Sequence, residues 1–180
     1  MRKLPIGISD FKKLREENFI YVDKTQYIYK LITEGGGYYF LSRPRRFGKS
    51  LLISTIRYLF EGRKELFKGL YIEDKWDWNN FYPVIRIDLS QIAIRKEEDF
   101  ETQMELLLKE IGKDCKYKYE KKYKASGNLV LLIKKCYDYY KKQVVILVDE
   151  YDKVILDNIE NKTEVEKIRD LLKNFYGVLK

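Results

Sequence analysis

Residues 38–50 read Tyr-Tyr-Phe-Leu-Ser-Arg-Pro-Arg-Arg-Phe-Gly-Lys-Ser, and this stretch decides the fold class. Its first part, Tyr38–Ser42, is mostly apolar and predicts a buried β-strand. From Lys49 to about Phe60 apolar residues recur at helical spacing, which predicts an α-helix. A strand that leads through a basic loop with a glycine into a helix is typical of phosphate binding, because the helix begins at the anion. The residues expected on the buried side of this helix are Leu52, Ile53, Ile56, Leu59 and Phe60.

Each part of the loop has a chemical role in this interpretation. Gly48 lets the backbone turn closely around phosphate oxygens, Lys49 reaches the β- and γ-phosphates, and Ser50 holds Mg²⁺. The general motif begins with glycine, whereas Arg43 occupies that position here. The alternative is an ordinary basic loop with a chance Gly-Lys-Ser. The expected nucleotide-binding residues are Arg43, Pro44, Arg45, Arg46, Phe47, Gly48, Lys49, Ser50 and Leu51.

A second motif lies about a hundred residues further on. Val144–Val148 is an unbroken apolar run, typical of a central parallel strand, and Asp149 and Glu150 follow it directly. This is the Walker B pattern, in which Asp149 binds Mg²⁺ and Glu150 polarises the attacking water. Glu150 and Lys49 are therefore the expected catalytic residues, and Ser50 and Asp149 the expected metal ligands. Because the chain has no Asn-Lys-x-Asp segment to read guanine, ATP with Mg²⁺ is the expected cofactor.

Strands alternate with helices along the chain, which predicts an α/β fold with a mostly parallel sheet flanked by helices. A further predicted strand, Tyr82–Ser90, lies between the other two along the chain. Both motifs follow strands, and ligands of such sheets sit at the carboxyl ends of strands. Residues 114–127 are polar and predict a mobile connection. The other predicted helices are Ser9–Glu17, Lys24–Glu34 with Asp23 as its cap, Glu97–Ile111, Asn128–Lys142 and Thr163–Val178.

Composition narrows the function classes. The 180 residues fit one domain, and the formal net charge of +8 favours anionic partners, although most of these lysines are expected to be solvated. The absence of histidine removes every mechanism that needs a histidine base. Cys115 and Cys136 have no metal-ligand spacing, which favours reduced thiols. With no signal peptide and no apolar run of about 20 residues, the chain is expected to be cytoplasmic, not in a membrane.

The chain resembles the AAA-ATPase-like proteins of bacteria and archaea. The resemblance is carried by Leu41–Ser50, which looks like their arginine-rich Walker A, and by three further segments, Leu4–Gly7, Tyr21–Thr25 and Asp149–Asp152. It implies a P-loop ATPase fold, in which the substituted first glycine is normal. It also implies a nuclease-like domain of the PD-(D/E)XK type after the ATPase domain, and it places Tyr21–Thr25 near the adenine.

Several residues have two interpretations. Tyr21–Thr25 is at least as well explained by a cap at Asp23 and a packed Tyr21 as by adenine contact. Asp88 is either an aid to the metal site or a cap of the next segment, and the cap is favoured. Residues 116–124 interleave lysine with tyrosine, which suits single-stranded nucleic acid, although a solvated loop is the commoner outcome.

Three functions remain open at this point: an ATPase coupled to an attached effector, a nucleotide-dependent switch with little hydrolysis, and a basic nucleic-acid-binding module. Glu150 favours the first, since a pure binder needs no water-polarising carboxylate. After Asp149 and Glu150 we expect only a linker and one helix. Residues 1–180 are thus expected to be the N-terminal ATPase domain of a longer protein, incomplete at its C-terminus and slow in turnover by itself. The sequence leaves nucleic-acid contact and oligomerisation open.

Overall fold

A computed structural model describes residues 3–44, 46–90 and 92–179 of the chain. The chain divides into two compact units, Met1–Tyr82 and Pro83–Lys180. The helices of the first unit are α1 (Phe11–Glu16), α2 (Thr25–Glu34), α3 (Lys49–Phe60) and a 3-10 helix (Lys64–Phe67). The elements of the second unit are β1 (Val84–Asp88), α4 (Glu97–Ile111), α5 (Ala125–Tyr140), β2 (Val145–Asp149), α6 (Lys153–Asp157) and α7 (Lys162–Gly177).

Asp10 joins α1 to α3 in the first unit. Its Oδ1 caps α1 by accepting from the Lys13 backbone N–H at 2.8 Å, and its Oδ2 accepts from the Tyr58 hydroxyl at 3.1 Å. Ser54 Oγ accepts from the Phe11 backbone N–H at 2.9 Å. These bonds turn a partly polar face of α3 inward, so that of the apolar residues predicted to be buried only Leu59 is fully buried. The buried residues of α3 are Ser54, Thr55, Tyr58 and Leu59.

The predicted strand Tyr38–Ser42 was wrong, because these residues form no regular element. Tyr38 is 74% exposed and Phe40 72% exposed, and the Tyr39 hydroxyl donates to the Leu31 carbonyl at 2.6 Å. An apolar run becomes a strand only when a neighbouring strand satisfies its backbone groups. In the described part of the first unit no strand is present to do so.

The sheet belongs to the second unit and consists of two parallel strands in the described residues. β1 and β2 pair in register from Val84 with Val145 to Asp88 with Asp149. Alternate residues of β1, Ile85 and Ile87, are buried in the core. The fold is therefore α/β, in the form of a small parallel sheet with helices. The sequence prediction of a mostly parallel sheet is met by this one strand pair.

The helices of the second unit enclose its core. α4 has the predicted bounds, α7 lies one residue earlier than predicted, and α5 begins three residues earlier, at Ala125. α6 lies where only a linker was expected. The Asn158 amide donates to the Ile94 and Val154 carbonyls at 2.7 and 2.8 Å, which ends α6 with satisfied backbone groups. Among the described residues, no helix combines the length and apolar character that crossing a membrane would require.

The connection before α5 is held by side-chain contacts, contrary to the expected mobile segment. Asn128 is fully buried and donates to the Glu120 and Tyr123 carbonyls at 3.0 and 2.9 Å. Its Oδ1 accepts from the Glu120 backbone N–H at 2.8 Å. Cys115 and Cys136 are both buried free thiols, and the Cys136 thiol faces the Cys115 sulfur.

Candidate functional site

The predicted phosphate loop of the first unit enters α3 through a left-handed turn. Gly48 is the N-cap of α3 with φ 73°, and its carbonyl accepts the first helical bond, from the Leu52 N–H, at 2.9 Å. Arg46 is also left-handed, with φ 66°, which is uncommon for a residue with a side chain. Such strain is typical of loops shaped for a ligand. Gly48 therefore forms the turn that the sequence predicted, in a conformation that glycine adopts without steric cost.

The side chains around this turn are open to solvent. Lys49 Nζ donates to the Arg43 carbonyl at 2.9 Å, which folds the lysine back across the loop. Arg43, Pro44, Arg46 and Gly48 are exposed, and Phe47 is 63% exposed. Ser50 and Leu51 are half-buried in the first turn of α3. The prediction for Arg45 lies outside the described residues.

An anion at this helix end would meet favourable partial charges. The first-turn N–H groups of an α-helix have no acceptor within the helix, and the helix dipole is positive at that end. α3 is twelve residues long and has no side-chain cap at its N-terminus. The predicted phosphate-binding residues and a helix N-terminus are therefore brought together in the first unit.

The predicted carboxylates lie in the second unit, at the carboxyl end of β2. Asp149 is the last residue of β2 and only 3% exposed. Its Oδ1 accepts from the Glu150 backbone N–H at 3.1 Å. Glu150 has φ 52°, so the chain turns sharply after the strand and the Glu150 side chain is half-buried. Both carboxylates are placed at a strand end, as the sequence predicted.

Sequence reasoning missed Arg86, which joins the carboxylates of the two strands. Arg86 Nη2 donates to Asp88 Oδ2 at 2.8 Å and to Asp149 Oδ2 at 3.4 Å. Asp88 Oδ1 accepts from the Ser90 backbone N–H at 2.9 Å, so Asp88 caps the following turn, as favoured, and also belongs to this cluster. The signal was the alternation of β1, which puts Arg86 and Asp88 on one face of the sheet.

The donor set at the strand ends suits a hard cation. Asp88 and Asp149 are register partners, so two carboxylates stand side by side, and Mg²⁺ prefers such oxygen ligands. Among the described residues no group of three or more histidine, cysteine or acidic side chains is close enough to hold a metal. Since Mg²⁺ is usually held by one or two carboxylates, water and substrate phosphates, this set fits the ion as a nucleotide partner.

Asp23 and its neighbours have structural partners. Asp23 Oδ1 accepts from the Thr25 backbone N–H at 2.8 Å, and Oδ2 accepts from the Tyr71 N–H at 2.7 Å. Burial opposes ionisation, but the hydrogen bonds from Tyr71 and Thr25 prevail and lower the pKa of Asp23. Tyr21 packs edge-on against Phe11, with ring centroids 5.1 Å apart. These contacts give residues 21–25 a structural role. α2 begins at Thr25 and its N-cap is Lys24, so Asp23 is one residue before the cap position that the sequence predicted.

The lysine- and tyrosine-rich segment 116–124 presents few aromatic rings to solvent. Tyr117 and Tyr119 pack against the core of the second unit. The Tyr117 hydroxyl donates to Asn128 Oδ1 at 2.6 Å. Base stacking needs accessible ring faces, so the packing of two tyrosines weakens the nucleic-acid interpretation.

Comparisons with known proteins show the family of the chain. A profile of the family described as "Predicted AAA-ATPase" matches residues 5–180. A curated relative, the "Uncharacterized protein in vnfD 5'region" of Azotobacter chroococcum mcd 1, is 43% identical over 184 residues. That alignment covers 99% of this chain but 34% of the relative, so the chain spans about a third of the relative's length. No solved structure matches the chain.

Proposed function

We propose, on the premise that this chain belongs to the predicted AAA-ATPase family, that it binds ATP with Mg²⁺ and hydrolyses it. In this proposal residues 1–180 work as one ATPase domain. The residues proposed to bind phosphate are Arg43–Leu51, in the first unit. The carboxylates proposed to act on the metal and the water are Asp149 and Glu150, in the second unit. The carrying observation is the left-handed Gly48 at the start of α3, directly before Lys49 and Ser50.

The residues divide the chemistry between them. Lys49 gives up its bond to the Arg43 carbonyl and balances the charge of the β- and γ-phosphates. Ser50 and Asp149 are the residues proposed as Mg²⁺ ligands, and the ion would neutralise charge at the phosphates when bound. Glu150 orients the attacking water and accepts its proton. Because the chain spans a third of its relative, coupling to an attached effector, nuclease-like by resemblance, is part of the proposal for the whole protein.

A second candidate is a nucleotide-dependent switch with little hydrolysis. The observation that favours it is the contact of Asp149 with Arg86, since a carboxylate that is already paired coordinates a metal less readily. A nucleic-acid-binding module is third, because the segment that suggested it packs two of its tyrosines against the core.

Replacing Lys49 tests the nucleotide site. Lys49→Ala is expected to weaken binding of Mg²⁺ and a non-hydrolysable ATP analogue by about 100-fold, because a charge-assisted bond of about 2–3 kcal/mol is lost. The measurement is isothermal titration calorimetry. Lys30→Ala, on the exposed side of α2, is the matched control and should bind like the unmodified chain. An unchanged dissociation constant for Lys49→Ala contradicts the site.

The same titration, followed by a phosphate-release assay, separates ATPase from switch. Glu150→Gln keeps the shape of the side chain and removes its proton-accepting oxygen, so binding should survive while turnover falls at least about 100-fold. If the unmodified chain binds the analogue but releases phosphate no faster than Glu150→Gln, the switch is the better description.

A further inference from the structure

We propose that Arg86 is an internal counter-ion of Asp149, which competes with a divalent cation for that carboxylate. In the absence of metal the guanidinium is hydrogen-bonded to both Asp88 and Asp149. When metal binds, Arg86 loses its hydrogen bond to Asp149 and retains its hydrogen bond to Asp88. Arg86 is thus a positioning residue that sets metal affinity. The inference concerns metal binding by Asp149. It rests on the proposed function only in assuming that this metal serves ATP hydrolysis.

The sheet register brings the three side chains together. Asp88 and Asp149 are paired residues of parallel strands, and such partners point to the same face. Arg86 stands two residues before Asp88 on β1, so it shares this face while Ile85 and Ile87 point into the core. The arrangement is fixed by backbone pairing and needs no loop to form it.

The two contacts of Arg86 are unequal. The same nitrogen, Nη2, donates to Asp88 at 2.8 Å and to Asp149 at 3.4 Å, close to the limit of a hydrogen bond. The bond to Asp149 is therefore the weaker one, and it is the bond that a competing cation would replace. Asp88 retains Arg86 in place when this happens.

Arg86 also lacks the forked geometry that makes arginine–carboxylate pairs strong. Its Nε is buried and has no hydrogen-bond partner among the described residues. A two-pronged pair uses two N–H groups on one carboxylate, whereas Arg86 gives Asp149 one long bond. Mg²⁺ can therefore displace Arg86 from Asp149. It could not displace an arginine that held the carboxylate with two hydrogen bonds.

Asp149 cannot remain without a cation nearby. It is 3% exposed, and an uncompensated buried carboxylate is strongly destabilising. Removing Arg86 should therefore lower stability without metal and raise the attraction for a metal ion. Replacing a residue that only packs would lower stability but leave the affinity for a metal ion unchanged.

The test uses the whole chain without nucleotide, so it is decided even if ATP binding fails. Arg86→Met keeps the length of the side chain and removes its charge. The melting temperature is measured by circular dichroism in excess EDTA and in millimolar MgCl₂, and Mn²⁺ binding by electron paramagnetic resonance. Arg169→Met, at an exposed position of α7, is the control.

For Arg86→Met we expect MgCl₂ to raise the melting temperature by about 3–5 °C. The unmodified chain and Arg169→Met should gain less than about 1 °C. Mn²⁺ should bind Arg86→Met about tenfold more tightly than the unmodified chain, because a neighbouring charge shifts cation binding by powers of ten.

Equal metal effects on Arg86→Met and the unmodified chain overturn the proposal. If Arg86→Met does not fold even with MgCl₂, Arg86→Lys decides, since lysine keeps the charge but cannot span both carboxylates equally well. A gain in melting temperature larger than that of the unmodified chain then supports the proposal, and an equal gain overturns it.

Discussion

Tyr176 carries a hydroxyl group that is buried without a hydrogen-bond partner among the described residues. Burial raises its pKa, because the charged phenolate would lose its hydration. Tyr117 is the natural comparison, because its hydroxyl donates to Asn128 Oδ1 at 2.6 Å. At the scale of single residues, these two tyrosines allow a comparison. Tyr176 shows what a buried hydroxyl without a hydrogen bond costs in stability, and Tyr117 shows what a hydrogen-bonded hydroxyl contributes.

Replacing each tyrosine by phenylalanine should affect stability differently. Tyr176→Phe is expected to leave the free energy of unfolding unchanged or raise it by up to about 1 kcal/mol, because an unpaired polar group is removed. Tyr117→Phe should lower it by about 1 kcal/mol, because Asn128 loses a donor. Urea unfolding followed by circular dichroism measures both. A loss greater than about 1 kcal/mol for Tyr176→Phe would mean that its hydroxyl is paired.

At the candidate site, a backbone conformation could be predicted from the sequence only where the residue type itself favours that conformation. Gly48 could be predicted, since a left-handed turn at a helix start favours glycine. The left-handed conformations of Arg46 and Glu150 could not, because neither residue type favours them. Arg86 was missed for a different reason: its importance lies in its partner Asp149, 63 residues away on another strand.

At the scale of elements, α5 begins where Asn128 can tie the preceding segment to it. The Asn128 side chain makes bonds to backbone groups of Glu120, Tyr123 and Lys124. The helix was predicted to start at Asn128, whereas it starts at Ala125 and places the asparagine within its first turn. A polar residue in a first turn is a common helix signal, so sequence alone does not reveal that it points into the core.

Asn128→Ala should loosen this segment. The free energy of unfolding is expected to fall by about 2–3 kcal/mol, because several buried backbone groups lose their partner. Hydrogen exchange of residues 117–124 should accelerate more than that of α4. Asn174→Ala, at an exposed position of α7, is the control and should change neither quantity. Unchanged exchange in Asn128→Ala would show that the segment is held by its tyrosines instead.

Helices were easier to predict than strands in this chain. α3 and α4 have the predicted bounds because their apolar spacing is local information. Residues 38–42 are as apolar as β2, yet they form no strand, since strand formation depends on a distant partner that spacing does not encode. α6 was missed because five residues carry too little periodicity to stand out.

At the scale of the whole molecule, the titratable groups are unusual. The chain has no histidine and 16 tyrosines. No side chain with an ordinary pKa therefore titrates between about pH 5 and 8. Burial raises the pKa of Tyr21 and Tyr58 in the first unit and of Tyr117, Tyr176 and Cys136 in the second. Stability should accordingly depend on pH mainly on the alkaline side.

The sign follows from the direction of these shifts. Each group is neutral in the folded chain at a pH where the unfolded chain already ionises, so stability is full below the ordinary pKa and is lost above it. The loss begins near 9.0 for Cys136 and near 10.0 for the tyrosines. Each such group contributes a slope of up to about 1.4 kcal/mol per pH unit. The free energy of unfolding should be nearly constant from about pH 6 to 8 and fall steeply toward about pH 10.5.

Urea unfolding across this range, with reducing agent present, measures the slope, and Cys136→Ala assigns part of it. This variant should lose stability at every pH because a buried side chain is truncated, but its slope between about pH 9 and 10 should be shallower than that of the unmodified chain. Ala125→Ser is the matched control, since it perturbs another fully buried small residue of α5 without adding a group that ionises in this range. Equal slopes for Cys136→Ala and the unmodified chain would mean that the Cys136 thiol ionises as readily in the folded state as in the unfolded state, and that its burial beside Cys115 does not suppress the thiolate.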